Sequence, residues 1–117
     1  MHEYPITCEI IGIAEDYAGR YGAKEVLQIN LVIGDDSGFI GDSIEMYFEV
    51  IAKGTLCEGA HIEIEYIKPL LRCVGCQKLF ERTSASFTCP SCHQIGRPTT
   101  IGKEFYIKSI EVDLEGG

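Results

Sequence analysis

Two short cysteine pairs, CVGC at 73–76 and CPSC at 89–92, constrain this chain more than any other feature. Each C-x2-C turn brings two thiolates to one side of a tight loop, and two such turns facing each other make a closed tetrahedral set of four sulfurs. Zinc suits that set best, since four soft thiolates with no open position favour a structural ion; an iron centre of the same geometry is the alternative. Binding a metal there is also folding energy, of order 10 kcal/mol in small zinc modules. A redox dithiol and disulfides are weaker readings, because two pairs separated by twelve residues read as ligation in a reducing compartment.

The segment around the cysteines needs that energy. Residues 68 to 103 hold few large apolar side chains and are too short to build a core. They carry Lys68, Arg72, Lys78, Arg82, Arg97 and Lys103 against the single acid Glu81, a charge of +5, while the other four bases and seventeen acids leave the remainder at −13. Two electrostatically different pieces share one chain. The overall charge of −8 argues against nucleic acid as the main partner, because phosphate affinity comes mostly from Lys and Arg.

The 117 residues allow one ordinary core, and 45% apolar with 24% charged content is that of a folding globular domain. No stretch approaches the ~20 apolar residues that span a bilayer, and the N-terminus lacks the basic and apolar regions of a signal peptide. The expectation is a cytoplasmic protein with no membrane partner.

From Pro5 to Tyr21 apolar residues recur at Ile6, Ile10, Ile13, Tyr17 and Tyr21, which predicts a helix with that stripe buried. Pro5 suits a first helical turn and Gly22 a stop. VLQINLVIG alternates, with Leu27, Ile29, Leu31 and Ile33 on one side and Gln28 and Asn30 on the other, as a half-buried strand does. After the loop DDSGFIGDS, Asp42 or Ser43 can cap a second helix with Ile44, Phe48 and Ile51 on one face and Gly54 near its end. HIEIEYI and EFYIKSIEV read as two more strands. The predicted fold is α+β: a small mixed three-stranded sheet with two helices on one face, plus an inserted zinc-ribbon-like module with two C-x2-C knuckles. Residues 1–67 and 104–117 form the α/β domain and 68–103 the zinc-binding module.

The chain opens MHEYP. With His at position 2, the Met1 amine and the His2 amide nitrogen close a five-membered chelate, and His2 Nδ1 closes a six-membered one. Glu3 offers a fourth donor, either its own amide nitrogen or its carboxylate. Near-planar nitrogen sets of this kind suit Ni(II) and Cu(II), whereas zinc favours tetrahedral sites. The bland alternative is a solvated His2 and a Glu3 that complements the helix dipole.

His93, directly after Cys92, is either a solvated knuckle residue donating an N–H to a thiolate or an alternate ligand supporting the site. His61 reads as a surface residue, and Cys8 and Cys57 have no assigned chemistry. Neither G-x-S-x-G, G-x-x-x-x-G-K nor H-E-x-x-H occurs, so an enzyme is not expected. A zinc-ribbon module that binds nucleic acid or protein is the alternative function that the +5 segment leaves open.

MHE at the start, IG after the first strand, GTLCEGAHIEIE, CVGC with CPSC, and a last strand ending SIEV together resemble the hydrogenase nickel-incorporation family, the HypA type of metallochaperone. The resemblance runs nearly end to end. It implies a cytosolic carrier of Ni(II) as transferred cargo for nickel-iron hydrogenase, working with a HypB-type maturation GTPase and the hydrogenase large subunit; some relatives also serve urease. Carried over by position, Met1, His2 and Glu3 would hold nickel, and Cys73, Cys76, Cys89 and Cys92 would hold zinc. His93 matches a position implicated in metal sensing in some members. The further histidine that some members carry near the first knuckle is missing here.

Overall fold

The computed structural model describes residues 3–82 and 86–114. The elements run α1 (Glu3–Arg20), β1 (Glu25–Gly34), α2 (Gly41–Ile51), β2 (His61–Ile67), β3 (Leu70–Cys73), β4 (Leu79–Glu81), β5 (Gly96–Pro98) and β6 (Phe105–Asp113). They form two three-stranded sheets, β2-β1-β6 and β4-β3-β5. The predicted α+β architecture is present, with the second sheet inserted between β2 and β6.

The first sheet is mixed. Val26 N–H reaches the Leu56 carbonyl at 2.8 Å and Asp35 N–H reaches that of Ile67 at 2.9 Å, so β1 and β2 climb together. Lys24 N–H to the Asp113 carbonyl at 2.8 Å and Gly34 N–H to that of Glu104 at 2.7 Å run the opposite way, so β6 is antiparallel to β1. Ile29, Leu31 and Ile33 of the central strand are buried as the alternation predicts, each stabilising by roughly 1.5–3 kcal/mol. Two neighbours depart from it: Val26 is buried where Leu27 was expected, and Val32 is buried between Leu31 and Ile33. The opposite face carries a polar network across all three strands. Gln28 Nε2 donates to Asn30 Oδ1 at 2.7 Å, Asn30 Nδ2 to Ser109 Oγ at 2.9 Å, and Lys108 pairs with Glu65 at 3.2 Å.

The buried face of α1 is Glu3, Thr7, Ile10, Ile11, Ala14 and Ala18, rotated from the predicted stripe: Ile13 and Tyr17 are each 45% exposed. The physical reason is size. Ala14 and Ala18, both fully buried, allow a close approach that tyrosines would block, and the tyrosines keep their hydroxyls in water. On α2, Ile44 and Phe48 are buried as expected, and Tyr4 meets Tyr47 edge to face at 5.4 Å where the two helices pack.

Contacts divide the chain into two compact units, Met1–Val32 with Phe39–Glu65 and Tyr106–Gly117, and Ile33–Gly38 with Tyr66–Phe105. In the second unit β3 pairs antiparallel with β4 and β5, with Leu71 buried beneath. The segment after β1 is bound into that unit by backbone. Asp36 N–H donates to the Gly102 carbonyl at 2.7 Å, and Gly34 lies so close that a Cβ there would stand 2.1 Å from the Gly102 oxygen. A two-pronged ion pair closes it, Arg82 Nη1 and Nη2 donating to Asp36 at 2.8 and 3.0 Å.

Candidate metal centres

Cys73 ends β3 and Cys89 follows the isolated Thr88–Ile95 bridge, and from each the chain makes the same turn. In the first knuckle Gly75 and Cys76 N–H point at Cys73 Sγ, at 3.3 and 3.4 Å, Gln77 N–H donates to the Cys73 carbonyl at 3.1 Å, and Cys73 N–H to that of Lys78 at 2.9 Å. In the second, Ser91 N–H lies 3.4 Å from Cys89 Sγ, His93 N–H donates to the Cys89 carbonyl at 3.0 Å, and Cys89 N–H to that of Gln94 at 2.8 Å. Gln77 and His93 occupy equivalent places, both left-handed with φ of 65° and 66°, an uncommon conformation for residues with a Cβ. The knuckles are two copies of one backbone device.

That device gathers the four sulfurs within 4.8 Å of one another. Cys76 and Cys89 Sγ are 3.7 Å apart, close to the about 3.8 Å edge of a tetrahedron with zinc–sulfur bonds near 2.3 Å, and Cys73 and Cys92 Sγ are nearer, at 3.1 Å. Backbone amides favour the thiolate form at two of the four. The Cys76 amide holds Cys73 down to about 6, and the Cys92 amide lowers Cys89. The Cys73 sulfur beside Cys92 pushes that thiol up to about 11. Four thiolates repel one another, and a divalent ion at their centre supplies the charge that lets all four ionise. The donor set therefore fits a structural zinc.

His93 is exposed, and its N–H goes to the Cys89 carbonyl oxygen rather than to a thiolate. Among the described residues the cluster of possible ligand atoms comprises the four cysteines alone. Cys57 is buried under α1, its Sγ 4.0 Å from the Ile11 carbonyl, and burial raises its thiol to about 11; Cys8 is exposed.

Met1 and His2 lie outside the described residues. Glu3 is the first residue of α1, two positions ahead of the expected start, and is only 7% exposed. Its Oε2 accepts the Ile40 N–H at 3.1 Å, and its carbonyl accepts the Thr7 hydroxyl. Ile40 is the N-cap of α2, a position the sequence reading gave to Asp42 or Ser43, and its side chain cannot cap. Glu3 thus does from α1 what a glutamate at N3 does within a capping box. A non-capping isoleucine ahead of GDS was the one sequence sign that a cap had to come from elsewhere.

The model of the family described as hydrogenase/urease nickel incorporation, metallochaperone, hypA, matches residues 1–112. Curated relatives named hydrogenase maturation factor HypA include those of Caldanaerobacter subterraneus, 34% identical over 97% of this chain and all of its own, and Dehalococcoides mccartyi, 36% identical over 98% of this chain and 97% of its own. The solution structure of the nickel metallochaperone HypA from Helicobacter pylori is similar with a TM-score of 0.64 at 25% identity, covering 97% of this chain and 98% of that one. A second HypA solution structure has a TM-score of 0.70 at 25% identity, covering 98% of each. With its four-cysteine cluster, its mixed sheet and a match along nearly its whole length, this chain belongs to the HypA family of hydrogenase/urease nickel-incorporation metallochaperones.

Proposed function

We propose that the chain carries one Ni(II) at its N-terminus and passes it on during maturation of nickel-iron hydrogenase, while a zinc held by Cys73, Cys76, Cys89 and Cys92 fixes the second module. The observation that carries this reading is the separation of the two donor sets by chemistry. Four sulfurs lie within 4.8 Å in a closed cluster suited to a permanent ion, whereas the MHE donors stand at a chain end from which cargo can leave. In a HypA chain the metal is cargo, and the protein is a carrier rather than a catalyst.

For nickel we assign the Met1 amine, the His2 amide nitrogen and the His2 imidazole, with Glu3 supplying its amide nitrogen. The Glu3 carboxylate already accepts the Ile40 N–H, and withdrawing it would strand an amide at a partly buried helix end. The Glu3 amide nitrogen sits in the first turn of α1, next in the chain to the Met1 and His2 donors. We assign the nickel site to the α/β module, and His93 to the backbone turn rather than to either metal. The partners proposed are the HypB-type GTPase and the hydrogenase large subunit. The cytoplasm is the compartment we assign, where thiols such as the six free cysteines stay reduced.

The test is a nickel titration of the untagged chain against His2→Ala and against a form with two extra residues ahead of Met1. The parent should bind one nickel with the absorption of a planar nitrogen site, weakening as pH falls because the donors must first lose protons. Both altered forms should lose that site and keep their zinc. A planar nickel site in the extended form would overturn the assignment.

A further inference from the structure

The second unit holds a charge arrangement that folding alone does not favour. β3 and β5 pair so that Arg72 lies directly opposite Arg97, two like charges across one rung of an antiparallel ladder. Such pairs are destabilising. Neither guanidinium has a carboxylate partner among the described residues: Arg72 Nη1 donates only to the Gln77 carbonyl at 2.9 Å, while Arg82 and Lys68 are the bases that pair, with Asp36 and Glu81. Two of the module's six basic residues are thus in ion pairs within it, and two others stand opposite each other across one rung.

The same row continues into β4, where Leu79 is the partner of Arg72 and is 41% exposed. Beyond the end of the row, Val74 N–H bonds the Ile95 carbonyl at 3.1 Å, and both side chains are exposed, Ile95 at 63%. Two guanidiniums flanked by three exposed aliphatic side chains therefore share the outer side of this sheet. The inner side is different: Leu71 is buried, and a Cβ on Gly96 would collide with the Phe80 ring at 2.5 Å.

We infer that this outer face, built from Leu79, Arg72, Arg97, Val74 and Ile95, is a docking surface for a protein segment that carries carboxylates beside apolar residues. Arginine next to exposed aliphatics is the composition of protein interfaces, where the guanidinium pairs with a carboxylate and the aliphatic part is covered. An extended polyanion fits less well. The rest of the chain carries −13, which repels a long strand of phosphates. A carboxylate between Arg72 and Arg97 would turn their repulsion into attraction, so the cost in the free protein becomes a gain in the complex. This surface stands independently of the nickel ligands assigned above.

The experiment uses the full zinc-loaded chain labelled with ¹⁵N and a soluble synthetic peptide of leucines flanked by glutamates. The controls are the same peptide with lysines for glutamates and an oligothymidylate. The acidic peptide should shift the amides of Arg72, Val74, Leu79, Ile95 and Arg97, with binding that weakens as salt is raised. Arg97→Glu is the decisive variant, because it replaces the opposed arginines by an opposite-charge pair. It should raise the thermal midpoint yet weaken peptide binding about tenfold, the loss of one or two ion pairs together with a new repulsion. Should that variant unfold, Arg97→Gln, which removes the charge without reversing it, is read in the same way. Nickel binding should be unchanged throughout. Equal binding by the parent and the Arg97 variant, shifts that fall elsewhere, no shifts at all, or binding of the oligothymidylate in place of the peptide would each overturn the inference.

Discussion

At the scale of single residues, Glu3 joins two parts of the molecule that sequence keeps apart. Its carboxylate caps an α2 whose own N-cap is an isoleucine. Glu3→Ala should cost about 1 kcal/mol and speed hydrogen exchange at the Ile40 amide, whereas Glu3→Gln, which keeps an acceptor oxygen, should largely restore both. Exchange measured by NMR on the three forms checks this. His93 yields to a similar argument. It sits at φ 66° where its twin is Gln77, so His93→Gly should keep one zinc per chain and lose no stability, as metal analysis and a melting curve would show. The Asp36–Arg82 pair is pH-dependent in a stated direction. The Arg82 guanidinium holds the Asp36 carboxyl below its ordinary value, so its contribution is fully present above the usual carboxylate range and is lost as pH falls through the lowered value. The difference in melting temperature between parent and Asp36→Asn should therefore be constant above about pH 5 and shrink toward zero in acid.

At the scale of elements, patterns of period two and 3.6 were legible, while the choice between neighbouring faces was not. Helix α1 offers two adjoining stripes, one of Ile13 and Tyr17 and one of Ala14 and Ala18, and hydrophobicity ranks the first higher. Close packing selects the second, because only small side chains let the helix settle against its neighbours. The knuckles show the reverse case. Their turns follow from cysteine spacing and local backbone bonds, so they were readable without knowing the rest of the fold. The segment after β1 depends on contacts far along the chain. Gly102 has φ 107°, and a Cβ there would lie 2.6 Å from the Pro69 Cα, so Gly102→Ala should lower stability by more than about 2 kcal/mol in a denaturant titration.

At the scale of the whole molecule, each unit has its own source of stability. The first buries Ile29, Leu31, Val32, Ile44 and Phe48, while the described apolar core of the second amounts to Ile33 and Leu71 beside Cys73 and Cys89. Removing zinc with a chelator should therefore abolish exchange protection at the Leu71, Arg72 and Cys73 amides and leave that of the central β1 amides in place; uniform loss across both would contradict the division. The sequence by itself determined the two helices, the three strands of the first sheet and the cysteine quartet, because these rest on local periodicity and on spacings of a few residues. Only the tertiary structure decided that Glu3 caps α2, that Arg82 is bound to Asp36, and that Arg72 stands opposite Arg97. Those pairs lie far apart in the chain, 46 residues in the case of Arg82 and Asp36, and strand register and close packing, which no local pattern encodes, bring them together.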